Sequence, residues 1–251
     1  MYSIDLNCDM GESFGAWRMG SDAELMNYVS SVNIACGFHA GDASVMRETV
    51  EKALEKDLAI GAHPSFPDLQ GFGRRTMKMS AGEIFDIVLY QVSALKGICE
   101  ARGARLHHVK PHGSLYNQAA QDETIADSIV KAVKAIDEKL VFYGLSGSCL
   151  IASAEKHGLK TASEVFADRT YQPDGSLTPR SESNALIVNN EQAISQVLQM
   201  VVKGDVTAIN GETIPIKAET VCIHGDGENA LEFARSIREN LIERGIEIRR
   251  P

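Results

Sequence analysis

The sequence has no apolar run approaching the ~18 residues needed to cross a bilayer, and no cluster of Lys and Arg longer than two. With a net charge of −9, this argues against nucleic acid or an anionic membrane as partner, since both require a basic face. The opening stretch MYSIDLNCDMGES lacks the basic segment of a secretory leader. Cysteines number five, an odd count, are widely scattered and include no C-x-x-C, so neither a zinc ribbon nor a disulfide framework is expected. A reducing cytoplasm is the expected location. Also missing are G-x-x-x-x-G-K-[ST] and G-x-S-x-G, while GFGRR lacks the third glycine of a dinucleotide fingerprint and follows no strand. No repeat, linker or low-complexity tract interrupts the 251 residues, a length that α/β barrels reach as one domain. A single domain over 1–251 is expected.

What recurs is a short apolar strand, a polar or Gly-rich cluster, then an amphipathic helix. Strands are predicted at Ser3–Cys8, Ser31–Cys36, Leu58–Ala62, Leu106–Val109, Leu140–Gly144, Thr161–Val165 and Thr220–Ile223. Between them, Ser80 and Glu83 form a capping box ahead of IFDIVLYQVSALKGIC, which Gly103 is placed to end. Ile125, Ile129, Val133 and Ile136 mark one face of another helix, and the last helix stops at Gly245. Alternating β and α units imply a parallel sheet, and seven such strands suggest a closed barrel. One excursion, around 205–218, reads as a β-hairpin turning at Asn210-Gly211.

Strand side chains alternate faces. Asp5, Asn7 and Asp9 therefore share one face of the first strand, opposite Ile4, Leu6 and Cys8. The same parity aligns Asn33, Gly37 and His39; Gly61 and His63; His108, Lys110 and His112; Glu164, Phe166 and Asp168; and Cys222, His224 and Asp226. One face is apolar, and the other ends in ionisable groups at the C-terminal end, where βα barrels carry their active sites. This also explains why HHVKPHGSLYN concentrates three of the seven histidines.

Plainer readings compete. Asp42 suits a helix cap, as does Asp226; His107 faces the outer layer, and His157 sits at a helix end beside Gly158. Cys8, Cys36 and Cys222 read as small buried packers. Lys110 is harder to dismiss, because an inward lysine is costly unless paired or functional. A His/Asp metal site drawn from Asp9, His39, His63, His112 and His224 stays open, though none shows a local H-x-x-x-H helix spacing.

Six stretches in order, DLNCDMGESFG, NIACGFHAGD, GAHPSFPD with GFGRR, KPHGSLYN, EVFADRTYQPDGSL and CIHGDG, together resemble the LamB/YcsF family across essentially the whole chain. The resemblance implies a seven-stranded TIM-like (β/α) barrel of the glycoside hydrolase/deacetylase type. It also implies opening of 5-oxo-L-proline to L-glutamate, coupled to ATP hydrolysis, in a complex with subunits B and C. On that reading Asp9 and His63 activate water, Lys110 and His112 stabilise developing negative charge, and His39 donates a proton. Asn7, Glu12, Glu164, Asp168, Arg169, His224 and Asp226 orient the substrate or those side chains. ATP binds either in an unrecognised mode on the barrel or through the partners, and a divalent metal is compatible with the donors. Two rivals are a stand-alone metal-dependent deacetylase or amidohydrolase, and a non-catalytic ligand-binding protein within the complex.

Overall fold

In the computed structural model, residues 2–223 and 230–251 are described. In chain order, the first half comprises β1 (Ser3–Met10), α1 (Asp22–Leu25), β2 (Ser31–Ala35), α2 (Ala43–Glu55), β3 (Ala59–His63), α3 (Ala81–Ala101) and β4 (Leu106–Val109). Next come α4 (Gly113–Gln121), α5 (Glu123–Ile136), β5 (Val141–Leu145), α6 (Cys149–Lys156), β6 (Thr161–Phe166) and α7 (Asn190–Leu198), which runs into a π-helical turn at Gln199–Lys203. The chain finishes with β7 (Asp205–Thr207), β8 (Thr213–Pro215), β9 (Thr220–Ile223), α8 (Ala230–Glu243) and β10 (Glu247–Ile248).

Seven parallel strands close on themselves in the order β1-β2-β3-β4-β5-β6-β9, with β9 returning to β1. These are the seven strands expected from the sequence, with ends that differ by a residue or two. β1 runs on to Met10 because Asp9 and Met10 still pair with Asn33 and Ile34 of β2. β7 and β8 form an antiparallel hairpin outside the barrel, turning through Gly211 at φ 86°. β10 adds in parallel to the start of β1.

Local chemistry explains the helices. Asp42 caps α2 by accepting from Ser44 N and Val45 N, which is the plainer reading of that residue. Ser80 and Glu83 make the reciprocal capping box of α3, and Asp122 caps α5. Each such cap contributes roughly 1 kcal/mol. α5 buries Ile129, Val130 and Val133 completely as it packs between α3 and α6. Burying one such side chain contributes about 1.5–3 kcal/mol. No described helix is long and apolar enough to cross a membrane.

The apolar faces of the strands look outward to these helices, and the barrel interior is polar. Near the floor, Asp5 is buried and accepts hydrogen bonds from Ser30, Ser31, Tyr143 and Thr220 hydroxyls. Burial raises the Asp5 pKa and the hydroxyls oppose that rise, leaving it above the ordinary carboxylate value. Above this floor, His108 stacks on Tyr143 at 4.0 Å between ring centroids and bonds Asn33 Oδ1 at 2.8 Å.

Candidate active site

At the C-terminal ends of the strands the polar interior opens into a cavity of about 570 Å³, lined among others by Asp9, His63, Lys110, His112 and Tyr116. Register decides who meets whom. β9 pairs Thr220 with both Asp5 of β1 and Glu164 of β6, and Cys222 with Asn7. β1, β6 and β9 thereby bring Asn7, Glu164 and Cys222 to the side of the barrel toward which Lys110 reaches from just beyond β4.

Lys110 is the centre of one cluster. Its Nζ lies 2.8 Å from Glu164 Oε1 and 2.9 Å from Asp9 Oδ1. It also donates toward Cys222 Sγ at 3.1 Å and Asn7 Oδ1 at 3.2 Å. Burial alone would pull this amine's pKa down, but Asp9, Cys222 and Glu164 overcome it and hold the pKa well above the ordinary lysine value. Lys110 is therefore an ammonium, compensated within a site nearly closed to solvent. Asn7 Nδ2 donates to Glu164 Oε1 and Thr220 Oγ1. Asn33 Nδ2 donates to Asn7 Oδ1 and Asp9 Oδ1, and the Tyr116 hydroxyl donates to Glu164 Oε2 at 2.7 Å. Every oxygen around the ammonium is thus positioned by a second donor.

The second cluster is made of imidazoles. Asp9 joins the two, since its other oxygen, Oδ2, lies 3.2 Å from His63 Nε2. His112 Nδ1 lies 2.9 Å from the same His63 Nε2. His39 stacks on His112 with ring centroids 3.8 Å apart, and Glu12 Oε1 is 3.6 Å from His39 Nε2. Donor atoms of Glu12, His39, His63 and His112 all fall within 4.8 Å of one another, a set able to hold a metal ion. Burial pushes the pKa values of His39 and His112 well below the ordinary imidazole value, with the neighbouring imidazoles adding to the effect.

A tied loop forms the roof of this cluster. Asp68 is buried and accepts from Gly71 N, Arg75 N and the Arg75 guanidinium. Gly73, at φ 64°, passes so close to the site that a Cβ there would stand 2.8 Å from His112 Cδ2 and 2.9 Å from His39 Cβ. Phe72 also adopts a left-handed φ of 53°, a conformation uncommon for an aromatic residue.

Asp9, His39, His63, Lys110 and His112 are therefore brought together, and Asn7, Glu12 and Glu164 join them. Arg169 also lines the cavity, but its guanidinium is committed to the carbonyls of Thr178 and Ala185, which ties down the 169–186 loop. From the cavity wall the guanidinium thus braces the loop where it turns. Burial lowers its pKa to about 10. Asp168 is half-buried beside it. His224 and Asp226 lie outside the described residues. His157 is half-buried at the end of α6, 3.3 Å from Asp127 Oδ1. Cys8 and Cys36 are buried free thiols, as are Cys99 and Cys222. Cys222 is more than a packer, since it touches the Lys110 ammonium. Asn33 and Cys222 were findable by strand parity. Tyr116 and Arg74, which also line the cavity, were not, because helix and loop residues reach it through no period-2 pattern.

Comparison with known proteins gives a consistent result. The family model described as LamB/YcsF family matches residues 4–251. The A subunit of the 5-oxoprolinase of Tolumonas auensis is 58% identical over 249 residues, spanning 99% of each chain. A protein of the same name from Bacillus cereus is 56% identical over the full length of both chains. The crystal structure of a lactam utilization protein from Thermus thermophilus superposes with a TM-score of 0.93 at 45% identity, covering 98% of this chain and 99% of that one.

Proposed function

This chain belongs to the LamB/YcsF family, and from that premise we propose that it is the A subunit of an ATP-dependent 5-oxoprolinase, a hydrolase that opens the lactam of 5-oxo-L-proline to give L-glutamate. The observation that carries the reading is end-to-end similarity at 56–58% identity to proteins bearing that name. The buried Asp9–Lys110–Glu164 centre supports it, because lactam opening calls for such groups. Subunits B and C are the proposed partners, and ATP is the co-substrate. The free cysteines suit the reducing cytoplasm expected from composition.

A five-membered lactam is a resonance-stabilised amide, so hydrolysis needs an activated carbonyl, a base for water and a proton for the ring nitrogen. Phosphorylation of the amide oxygen at the expense of ATP, assigned to the partners, makes the carbon electrophilic. Water adds to that carbon, the ring C–N bond breaks with a proton passing to nitrogen to leave an acyl phosphate, and a second water releases the phosphate. One water enters the amide, and the net hydrolysis of ATP consumes another. The Lys110 ammonium is aimed into the cavity and would stabilise negative charge developing on oxygen, with Glu164, Asn7 and Tyr116 fixing its position. Asp9 would take the proton from water and pass it to the leaving nitrogen. Burial disfavours the protonated forms of His39 and His112. Their cluster is therefore assigned to binding rather than to proton delivery. Asp168 and the Arg169-braced loop would shape the mouth of the cavity.

The test is glutamate release from 5-oxoproline and ATP, measured with this chain alone, with subunits B and C alone, and with all three. Turnover restricted to the complete mixture is the expected result. Hydrolysis of an unrelated amide by this chain alone, without any 5-oxoprolinase activity in the mixture, would overturn the assignment.

A further inference from the structure

His63 and His112 are each anchored by a backbone carbonyl. His63 Nδ1 lies 2.7 Å from Lys110 O, and His112 Nε2 lies 2.9 Å from Phe72 O. A carbonyl oxygen only accepts, so each of these nitrogens carries the hydrogen, and in a neutral ring the opposite nitrogen is a bare lone pair. Those two lone-pair nitrogens, His63 Nε2 and His112 Nδ1, face each other at 2.9 Å. With nothing between them, that contact is repulsive.

The groups around this point make it worse. Asp9 Oδ2 stands 3.2 Å from His63 Nε2, and Glu12 Oε1 stands 3.9 Å from His112 Nδ1. His39 is completely buried, and neither of its ring nitrogens has a hydrogen-bond partner among the described residues. A buried polar group left unsatisfied is destabilising. Acceptors thus converge on one small volume, a pattern that a cation resolves. An extra proton on one ring would relieve a single contact and would still leave His39 unsatisfied.

We propose that Glu12, His39, His63 and His112 hold a resident divalent transition-metal ion, with Asp9 at the edge of the site toward Lys110. Three imidazoles and one carboxylate suit zinc or a neighbouring first-row metal, whereas magnesium prefers an all-oxygen shell. Ions of the zinc class bind such donors at about 2.0–2.2 Å, which sets adjacent donor atoms roughly 3–4 Å apart. The separations of 2.9, 3.6 and 3.9 Å within the cluster match that spacing. The two pinning carbonyls are also what a metal-bound histidine uses to fix its tautomer. The loop that Asp68 ties in place presents the Phe72 carbonyl, so roof and metal site are one device. The bound ion would supply Lewis acidity beside the Asp9–Lys110 centre.

The experiment is metal analysis of the purified chain, followed by calorimetric titration of chelator-stripped protein with Zn²⁺, Co²⁺ and Mg²⁺ in the absence of substrate and ATP. Stoichiometric binding of Zn²⁺ and Co²⁺, a Co²⁺ visible spectrum of nitrogen–oxygen ligation, and Mg²⁺ binding weaker by at least about 10²-fold are expected. H39A and E12Q should each weaken Zn²⁺ by about 10²-fold or more, since loss of an outer partner alone typically costs 10–100-fold. Should either variant fold poorly, a rise in Tm of the unaltered chain on adding Zn²⁺ provides the parallel readout. Absence of stoichiometric metal together with no Zn²⁺-dependent rise in Tm would overturn the site. So would undiminished affinity in both variants, or binding that requires ATP. Because no turnover is measured, this outcome is separate from that of the 5-oxoprolinase assay. Metal without oxoproline cleavage removes the function, and cleavage by a metal-free chain removes the site.

Discussion

Gly61 and His108 lie side by side on adjacent strands, and a Cβ added to Gly61 would fall within the His108 imidazole. The pairing between β3 and β4 shifts register at Ile60/Gly61, which brings the histidine opposite the one residue that leaves it room. That fit lets His108 reach Asn33 and stack on Tyr143, and so holds the layer beneath the Lys110 cluster.

Gly61→Ala is accordingly expected to destabilise the fold by about 1–3 kcal/mol, the usual range for overpacking a well-filled interior. His108→Ala in the same chain should recover part of that loss. Urea unfolding of both single variants and the double variant would measure the coupling, expected at about 0.5–3 kcal/mol. Additive losses would mean that the two residues do not compete for space.

Removing the ammonium should be more damaging than removing one of its carboxylates. In Lys110→Met, Asp9 and Glu164 remain as buried anions without their counter-charge, at a cost of about 3–5 kcal/mol. Turnover of the assembled complex should fall by at least about 10²–10³-fold. The double variant K110M/E164Q should regain stability over K110M without regaining activity. Thermal melts and glutamate release together check both halves of this expectation.

The buried histidines make stability sensitive to acid. Burial, reinforced by His107, Lys110 and His63, holds the His108 pKa well below its ordinary value of 6.5. The unfolded chain therefore binds a proton below about pH 6.5 that the folded chain refuses, and stability falls as pH drops through that value. The loss approaches about 1.4 kcal/mol for each pH unit below it, for each such group, until the folded pKa is reached. His108→Gln should flatten the slope of urea midpoint against pH between 7.5 and 5.5. An unchanged slope would assign the acid sensitivity to other groups.

Asp68 sets the roof. Its carboxylate, held below the usual range by Arg75 and nearby backbone N–H groups, accepts the bonds that close the 68–75 loop. Asp68→Ala should increase hydrogen exchange at Gly71 and Arg75 while leaving α5 protected. It should also reduce turnover by about 10–100-fold, because His112 would lose the fixed carbonyl that orients it. Exchange mass spectrometry on the two segments provides the comparison.

The seven barrel strands were legible because each is a short apolar run with polar residues at fixed parity, and parity survives folding. Parity alone puts Asp9, Lys110 and Glu164 on one interior face. Their division into an ammonium centre and an imidazole centre was not legible. It depends on strand register, including the shift at Ile60/Gly61, and register has no signature within a single strand. The carbonyls of Lys110 and Phe72 were equally out of reach, since a backbone acceptor has no letter in the sequence. The bracing by Arg169 was out of reach for a related reason. Its carbonyl partners at Thr178 and Ala185 come from a loop whose path follows no periodicity.

Asn33 touches nearly everything that matters inside the barrel: its amide meets Asn7 and Asp9, and its oxygen meets His108. A barrel wired this way is a poor substrate for gradual tinkering. Changing any one interior polar residue strands the hydrogen-bond capacity of its neighbours, so a tolerated replacement must arrive with compensating ones. Altered specificity in such a barrel would be drawn from the rim loops, while the interior changes only as a block.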